Sequence, residues 1–386
     1  MLHVRGTRTV ALISAGLFAL VAGAPGNALV YVSTVFASGL DNPRGLAFDG
    51  GGNLWVAEGG HFVAGGPQTP TAEGLATFGE TGALTRIAGG VQTRVHTGLP
   101  SLAVASGTTT GPADVAFFGG VGYFLTGLGA NPLVRATDLG SAPAAANLAS
   151  LYSFDGVSVT KVADIGLNEV LNNPAGDQID SNPFHLTAGP NGLLVADAGG
   201  NALLNITAGG AISTVGVFPD GAGGIDAVPT GVSVGPDGAF YVGQLTGFPF
   251  VPNTAEIFRI DPITLDKTVF ASGFTNITDI AWGPDGELYV LQFADAGILN
   301  GPPGSIRRVN GDGTTTLIFG GLIAPTGLEI GSDGSFYVTN FSPLASIGQV
   351  LRITAVPEPA SWAMMIGGFA FAGASLRRRK VSLRFA

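Results

Sequence analysis

The chain has 386 residues, 62 of them Gly and 24 Pro, with 46% apolar and only 11% charged side chains. This composition supplies a large core and suits many short strands joined by tight turns, so it excludes a disordered chain and argues against a helical one. The formal net charge of −10 makes nucleic acid or an anionic lipid surface an unsuitable partner, and the lack of any Cys excludes disulfides, thiolate metal sites and thiol nucleophiles.

Residues 1–28 read as an export signal. Arg5 and Arg8 precede the apolar run 10–22, which is short for a bilayer span, and small residues follow up to a cleavage point at Gly26-Asn27-Ala28. From there the chain repeats itself six times. The copies are NPRGLAFDGGGNLWVAE from Asn42, GPADVAFFGGVGYFLTG from Gly111, NPFHLTAGPNGLLVADA from Asn182, VPTGVSVGPDGAFYVGQ from Val228, NITDIAWGPDGELYVLQ from Asn276 and APTGLEIGSDGSFYVTN from Ala324. The last four stand about 46–48 residues apart and the first two steps are about 70, a period that fits four short strands per propeller blade with extra loop early on.

The predicted fold is therefore all-β, a six-bladed β-propeller over residues 29–355. Its ring is closed by the N-terminal strand: TVFASGL at 34–40 echoes TVFASGF at 268–274, which ends the fourth blade, and the sixth copy runs out of strands at Ile353. Each blade opens with two strands joined by a tight turn such as Gly235-Pro236-Asp237-Gly238, where Asp and Gly are turn chemistry rather than a calcium loop. In the first blade the third and fourth strands are expected at 74–78 and 84–88. Long loops are expected at 59–73, 128–148, 245–255, 293–304 and 341–347 after second strands, and at 89–111 and 165–182 before first strands. All of these fall on one face of the disc, the expected binding face.

Two polar rings follow from stacking the repeats. Second strands end at Glu58, Gly127, Asp197, Gln244, Gln292 and Asn340. First strands begin at Gly45, Asp114, His185, Gly231, Asp279 and Gly327, with Arg44 just before the first. The candidate ligand-binding residues at the channel mouth are thus Arg44, Glu58, Asp114, His185, Asp197, Gln244, Asp279, Gln292 and Asn340. Such oxygens could hold a hard cation such as calcium or a small polar ligand. The alternative is that they bond backbone at blade ends and keep the blades in register. His185 has no second His in register, which argues against zinc or iron, and there is neither a Gly-x-Ser-x-Gly elbow nor a phosphate loop.

At the far end, Pro357-Glu358-Pro359 is followed by the apolar stretch 360–376 and by Arg377-Arg378-Arg379-Lys380. This order resembles the PEP-CTERM sorting signal of Gram-negative bacteria, placed at 356–380 with a short tail at 381–386. The resemblance implies an exosortase partner, cleavage near Pro-Glu-Pro, and delivery to the envelope or extracellular matrix, with transient or permanent inner-membrane attachment. The apolar length and the basic cluster are compatible with a transmembrane segment whose basic end stays cytoplasmic.

The repeats resemble NHL-type blades, and the stretch 34–60 with the overall layout is similar to the ScyD/ScyE family, named from scytonemin pigment gene clusters. That resemblance implies an exported propeller but no settled activity and no catalytic residue. Three functions follow as expectations. The first is a non-enzymatic binding or scaffold protein that takes a glycan or protein on its loop-rich face. The second is a calcium-assisted hydrolase or lactonase at the channel mouth, although Arg44 and Gly45 stand where calcium-dependent gluconolactonases carry a Glu. The third is an extracytoplasmic accessory in pigment biosynthesis.

Overall fold

The computed structural model describes residues 29–221, 223–356 and 369–370. The expected leader at 1–28, the sorting residues Pro357, Glu358, Pro359, Arg377, Arg378 and Arg379, nearly all of the apolar stretch 360–376 and the tail 381–386 lie outside the described residues. One compact unit spans Tyr31–Ala355; the two termini form another, of which five residues are described.

The main unit is all-β with one short helix. Strand β1 (Val30–Leu40) comes first. The first sheet holds β2 (Pro43–Phe48), β3 (Leu54–Glu58), β4 (Gln68–Thr71), β5 (Gly74–Ala88), β6 (Val91–Val104) and β7 (Thr109–Thr110), in the order β2-β3-β5-β6-β7 with β4 on β5. Four sheets of four strands follow. The second has β8 (Pro112–Phe118), β9 (Val121–Thr126), β10 (Ser150–Phe154) and β11 (Val159–Asp164). After helix α1 (Ile165–Asn172), the third has β12 (Pro183–Gly189), β13 (Gly192–Asp197), β14 (Ala202–Ile206) and β15 (Ile212–Val217). The fourth has β16 (Pro229–Val234), β17 (Phe240–Gln244), β18 (Ala255–Ile260) and β19 (Lys267–Phe274). The fifth has β20 (Ile277–Trp282), β21 (Leu288–Gln292), β22 (Gly304–Val309) and β23 (Thr315–Leu322). The sixth joins β24 (Leu328–Ile330), β25 (Phe336–Asn340) and β26 (Gly348–Val356) to β1, in the order β1-β26-β25-β24.

The turn after each first strand does what its residues dictate. In the fourth, fifth and sixth sheets Gly238, Gly286 and Gly334 take φ of 77°, 78° and 76°, which L side chains avoid. The preceding Asp folds back: Asp237, Asp285 and Asp333 accept the N–H of Ala239, Glu287 and Ser335. Their second oxygens are held by Tyr241 and Arg259, by Tyr289, and by Arg352. Second strands such as β3 and β21 are buried on both faces, whereas the outer strand β19 is mostly exposed. That gradient is what sheets stacked face to face require, with each second strand deep between neighbours.

Six apolar clusters lie between consecutive sheets. Leu84 and Phe124 join first to second, Leu151 and Leu186 second to third, Leu194 and Val242 third to fourth, Ile257 and Val290 fourth to fifth, and Leu291 and Val338 fifth to sixth. Leu40, Leu46 and Val350 join sixth to first. The first strands touch in the cyclic order β2, β8, β12, β16, β20, β24 and back to β2.

Three expectations fail. The expected loop 59–73 carries the short strand β4, paired with β5. The region 89–111 is not a loop: most of it is β6, paired with a 15-residue β5 through Ala88↔Val91 and on to Ala76↔Val104. The third strand of this sheet is therefore continuous, in place of two short ones at 74–78 and 84–88. Bulges near Gly79 and Gly82 let the hairpin bend, and its far end packs Phe78 and Leu102 against Leu128, Leu139 and Leu148. The loop 165–182 begins with α1, N-capped by Asp164, whose side chain accepts from the Leu167 N–H at 2.8 Å.

Candidate functional site

The first-strand ring is assembled by close approach. A Cβ on Gly45 would overlap the Asp114 carboxylate; one on Gly231 would lie 2.7 Å from Ile280 N, and one on Gly327 2.5 Å from Arg44 O. The three glycines leave room for the three polar side chains between them, and Asp114, His185 and Asp279 meet. The His185 Nε2 lies 2.8 Å from Asp279 Oδ1 and 3.5 Å from Asp114 Oδ2. Asp114 accepts the N–H of Val115 and, from the next sheet, of Leu186, both at 2.8 Å. Asp279 accepts the N–H of Ile280 and, from the next sheet, of Leu328, both at 2.7 Å. Every carboxylate oxygen is occupied, and each Asp ties its sheet to the one after it.

Burial opposes a charge on His185, but Asp114 and Asp279 outweigh it and push its pKa up to about 9. Burial raises Asp114 to about 7 against the pull of His185. Glu329, two residues beyond Gly327 on the same face of β24, is raised to about 8 by burial and by Asp279. Because the neighbour at Gly327 is backbone, Gly327→Ala should destabilise the fold by about 3 kcal/mol or more. Gly45→Ala, whose Cβ would drive the Asp114 carboxylate off its two backbone N–H partners, should cost a similar amount. Comparing the two denaturation midpoints checks the ring packing.

From this ring a cavity of about 200 Å³ extends along the first strands, lined by Phe48, Asp114, Phe117, His185, Thr187 and Glu329 among others. Those residues run toward the tight turns. The sequence places the opening on the loop-rich side, but there Arg44, Glu73, Asn182 and Phe184 line a hollow of only about 20 Å³. Arg44 donates to Thr109 O, and burial lowers its pKa, with Glu73 opposing.

The second-strand ends do not join the axis ring. Glu58 is fully buried and accepts from Asp41 N at 2.7 Å and from Thr85 Oγ1; Arg94 grips both its oxygens at 3.0 and 2.7 Å. Asp197 accepts from Asn182 N and Ser181 Oγ, Gln292 from Thr275 N, and Asn340 from Ile323 N. Gln244 is buried at the equivalent end of β17. Four of the five thus bond the backbone just upstream of their own sheet's first strand. Glu58, Asp197, Gln292 and Asn340 fasten connectors, while Asp114, His185 and Asp279 occupy the axis. Sequence reasoning missed Glu329, although a two-residue period from Gly327 places it in the cavity. It also missed Arg94, hidden in what read as a loop.

Residues 355–380 match the PEP-CTERM protein-sorting motif. That motif is a sorting signal recognised by exosortase, and it implies an exported protein associated with the cell envelope. Among the described residues no helix is long and apolar enough to cross a membrane. No curated protein matches the sequence. Among solved structures, the PQQ-bound aldose sugar dehydrogenase from Streptomyces coelicolor is similar at TM-score 0.50 and 13% identity, over 86% of this chain and all of that one. A streptogramin B lyase gives 0.47 and 14%, over 84% of this chain and 98% of that one. The WD40 β-propeller domain of Doa1 gives 0.41 and 13%, over 85% of this chain and 98% of that one. At these identities the likeness concerns fold alone.

Proposed function

We propose that this chain is a six-bladed propeller of the ScyD/ScyE kind, closed by β1, and that it is a binding or scaffold protein of the envelope or matrix rather than an enzyme. Its partner, a glycan or a protein, is met by the loops that follow the second strands. The observation that carries this reading is the apolar exposure of those loops. Phe248 is 74% exposed and Leu299 65%, with Val63, Leu133 and Ile347 exposed on the equivalent loops of other sheets. Large apolar side chains recurring on corresponding loops of successive sheets are what a docking face needs. In this reading exosortase engages Pro357, Glu358 and Pro359, Arg377, Arg378 and Arg379 remain cytoplasmic, and residues 360–376 hold the protein at the inner membrane until sorting.

A calcium-assisted hydrolase reading has the axis cavity in its favour, with His185 and Glu329 in its wall. The binding reading is preferred because both oxygens of Asp114 and both of Asp279 are already taken by backbone N–H groups. Replacing Phe248 and Leu299 together with Ser should leave the melting temperature nearly unchanged and weaken retention on the producing cells' insoluble matrix at least about tenfold. Undiminished retention in a sedimentation assay would refute the loop face.

A further inference from the structure

Away from the axis, the loop end of the third sheet gathers Glu169 from α1, Asp177 and Asp180 from the α1–β12 connection, Asp197 from the end of β13 and Asp226 from the β15–β16 connection. Asp197 is already held, by Asn182 N at 2.7 Å and Gly200 N at 3.1 Å as well as by Ser181, whereas the donors to the others are few and neutral. The Asn201 amide bridges Asp177 and Asp226 at 3.0 and 2.6 Å, and Ser181 Oγ donates to Asp197 at 2.7 Å. Glu169 is only 2% exposed, yet its Oε1 has no hydrogen-bond partner; the buried Asp180 Oδ1 has none either. An unpaired buried carboxylate oxygen is costly, and two beside three further acids are more so.

The adjacent turn locates the Asp180 oxygen and the other oxygen of the Glu169 carboxylate. A Cβ on Gly200 would sit 3.1 Å from Glu169 Oε2 and 3.2 Å from Asp197 Oδ2. One on Gly199 would sit 2.9 Å from Asp180 Oδ1. Neither glycine has the positive φ that would call for glycine on backbone grounds. They keep space open where three carboxylates converge.

We propose that this pocket at the loop end of the third sheet is a calcium site, with Glu169 and Asp180 as the ligands that close on the ion. Oxygen-only donors of mixed charge suit calcium, which accepts irregular shells of six to eight ligands, better than magnesium, which demands near-ideal octahedra. Among the described residues no three acidic or histidine side chains are already drawn in around one point. Binding in this proposal draws the Glu169 and Asp180 side chains inward, and carbonyl oxygens and water complete the shell. An exported protein meets calcium at concentrations where sites of about 0.1–1 mM affinity fill.

The test is thermal melting of the wild-type protein at neutral pH in constant ionic strength, with calcium chloride, magnesium chloride or neither, alongside calorimetric titration. At about 10 mM calcium the melting temperature should rise by about 3–6 °C, with one ion bound, and magnesium should do less. Glu169→Gln should melt close to wild type without calcium and should lose the calcium shift. Asp180→Asn serves as the second variant, also losing the shift, should Glu169→Gln fail to fold. No calcium shift in the wild type, an equal shift with magnesium, or a shift retained in a folded variant would each overturn the site.

Discussion

His185→Leu should destabilise the protein by about 3–5 kcal/mol near pH 7, because it leaves Asp114 and Asp279 buried side by side without their cation. The gap to wild type should depend on pH in a defined way. His185 has its pKa raised to about 9 from 6.5, so its contribution is fully present below pH 6.5 and is lost as pH climbs through 9. In the variant Asp114, already raised to about 7 with His185 beside it, loses that counter-charge and is raised further. The deficit should be largest below about pH 6.5 and shrink as pH climbs toward 9. Denaturation midpoints at about pH 4.5, 7 and 9.5 measure it. Adding Asp114→Asn and Asp279→Asn should restore much of the loss, because no unpaired charge remains. A single variant as stable as wild type at neutral pH would mean that the ring is held by its backbone hydrogen bonds alone.

Removing β1 should be more damaging still. A chain beginning at Asp41 would bare one edge of β26 and remove Leu40 and Ala37 from the cluster with Leu46, Tyr337 and Val350. An unpaired edge in a buried-core sheet invites association with other copies. The expected result is loss of a cooperative melt and a shift to large species on size exclusion, with recovery when a peptide of residues 29–40 is supplied in excess. The point substitution Leu40→Ala, at a fully buried position, should cost about 2–5 kcal/mol. A shortened chain that melts like the full one would show that the sixth sheet does not need its fourth strand.

Much of the sheet framework is legible in the residues. The Asp-Gly turns at 237–238, 285–286 and 333–334 mark first and second strands because only glycine takes their positive φ cheaply. The likeness between 34–40 and 268–274 marks β1 as an outer strand, since both alternate one buried residue with several exposed ones. The β5–β6 hairpin is not legible in this way: Gly79, Gly82, Gly89 and Gly90 look like loop punctuation, yet here they serve bulges and a turn. Nor does residue type separate the two polar rings. Asp114 and Asp197 are both buried acids at strand ends, and only the neighbouring sheet's position decides that one faces the axis and the other a connector. Glu169 is invisible in the sequence because its importance lies in what it lacks, a partner, and that is a property of three-dimensional surroundings.

The pairing of β1 with β26 also sets a timetable. Thr34 reaches Arg352 across 318 positions of chain, so the earliest strand to be made waits for the latest before it is hydrogen-bonded. Bringing such distant segments together is slow because closing so long a loop comes before any reward. During secretion the front of the polypeptide must therefore travel with Ala37 and Leu40, buried in the finished protein, uncovered and unmatched, and helpers outside the cytoplasm that shield extended apolar segments would govern its yield more than the strength of the finished core.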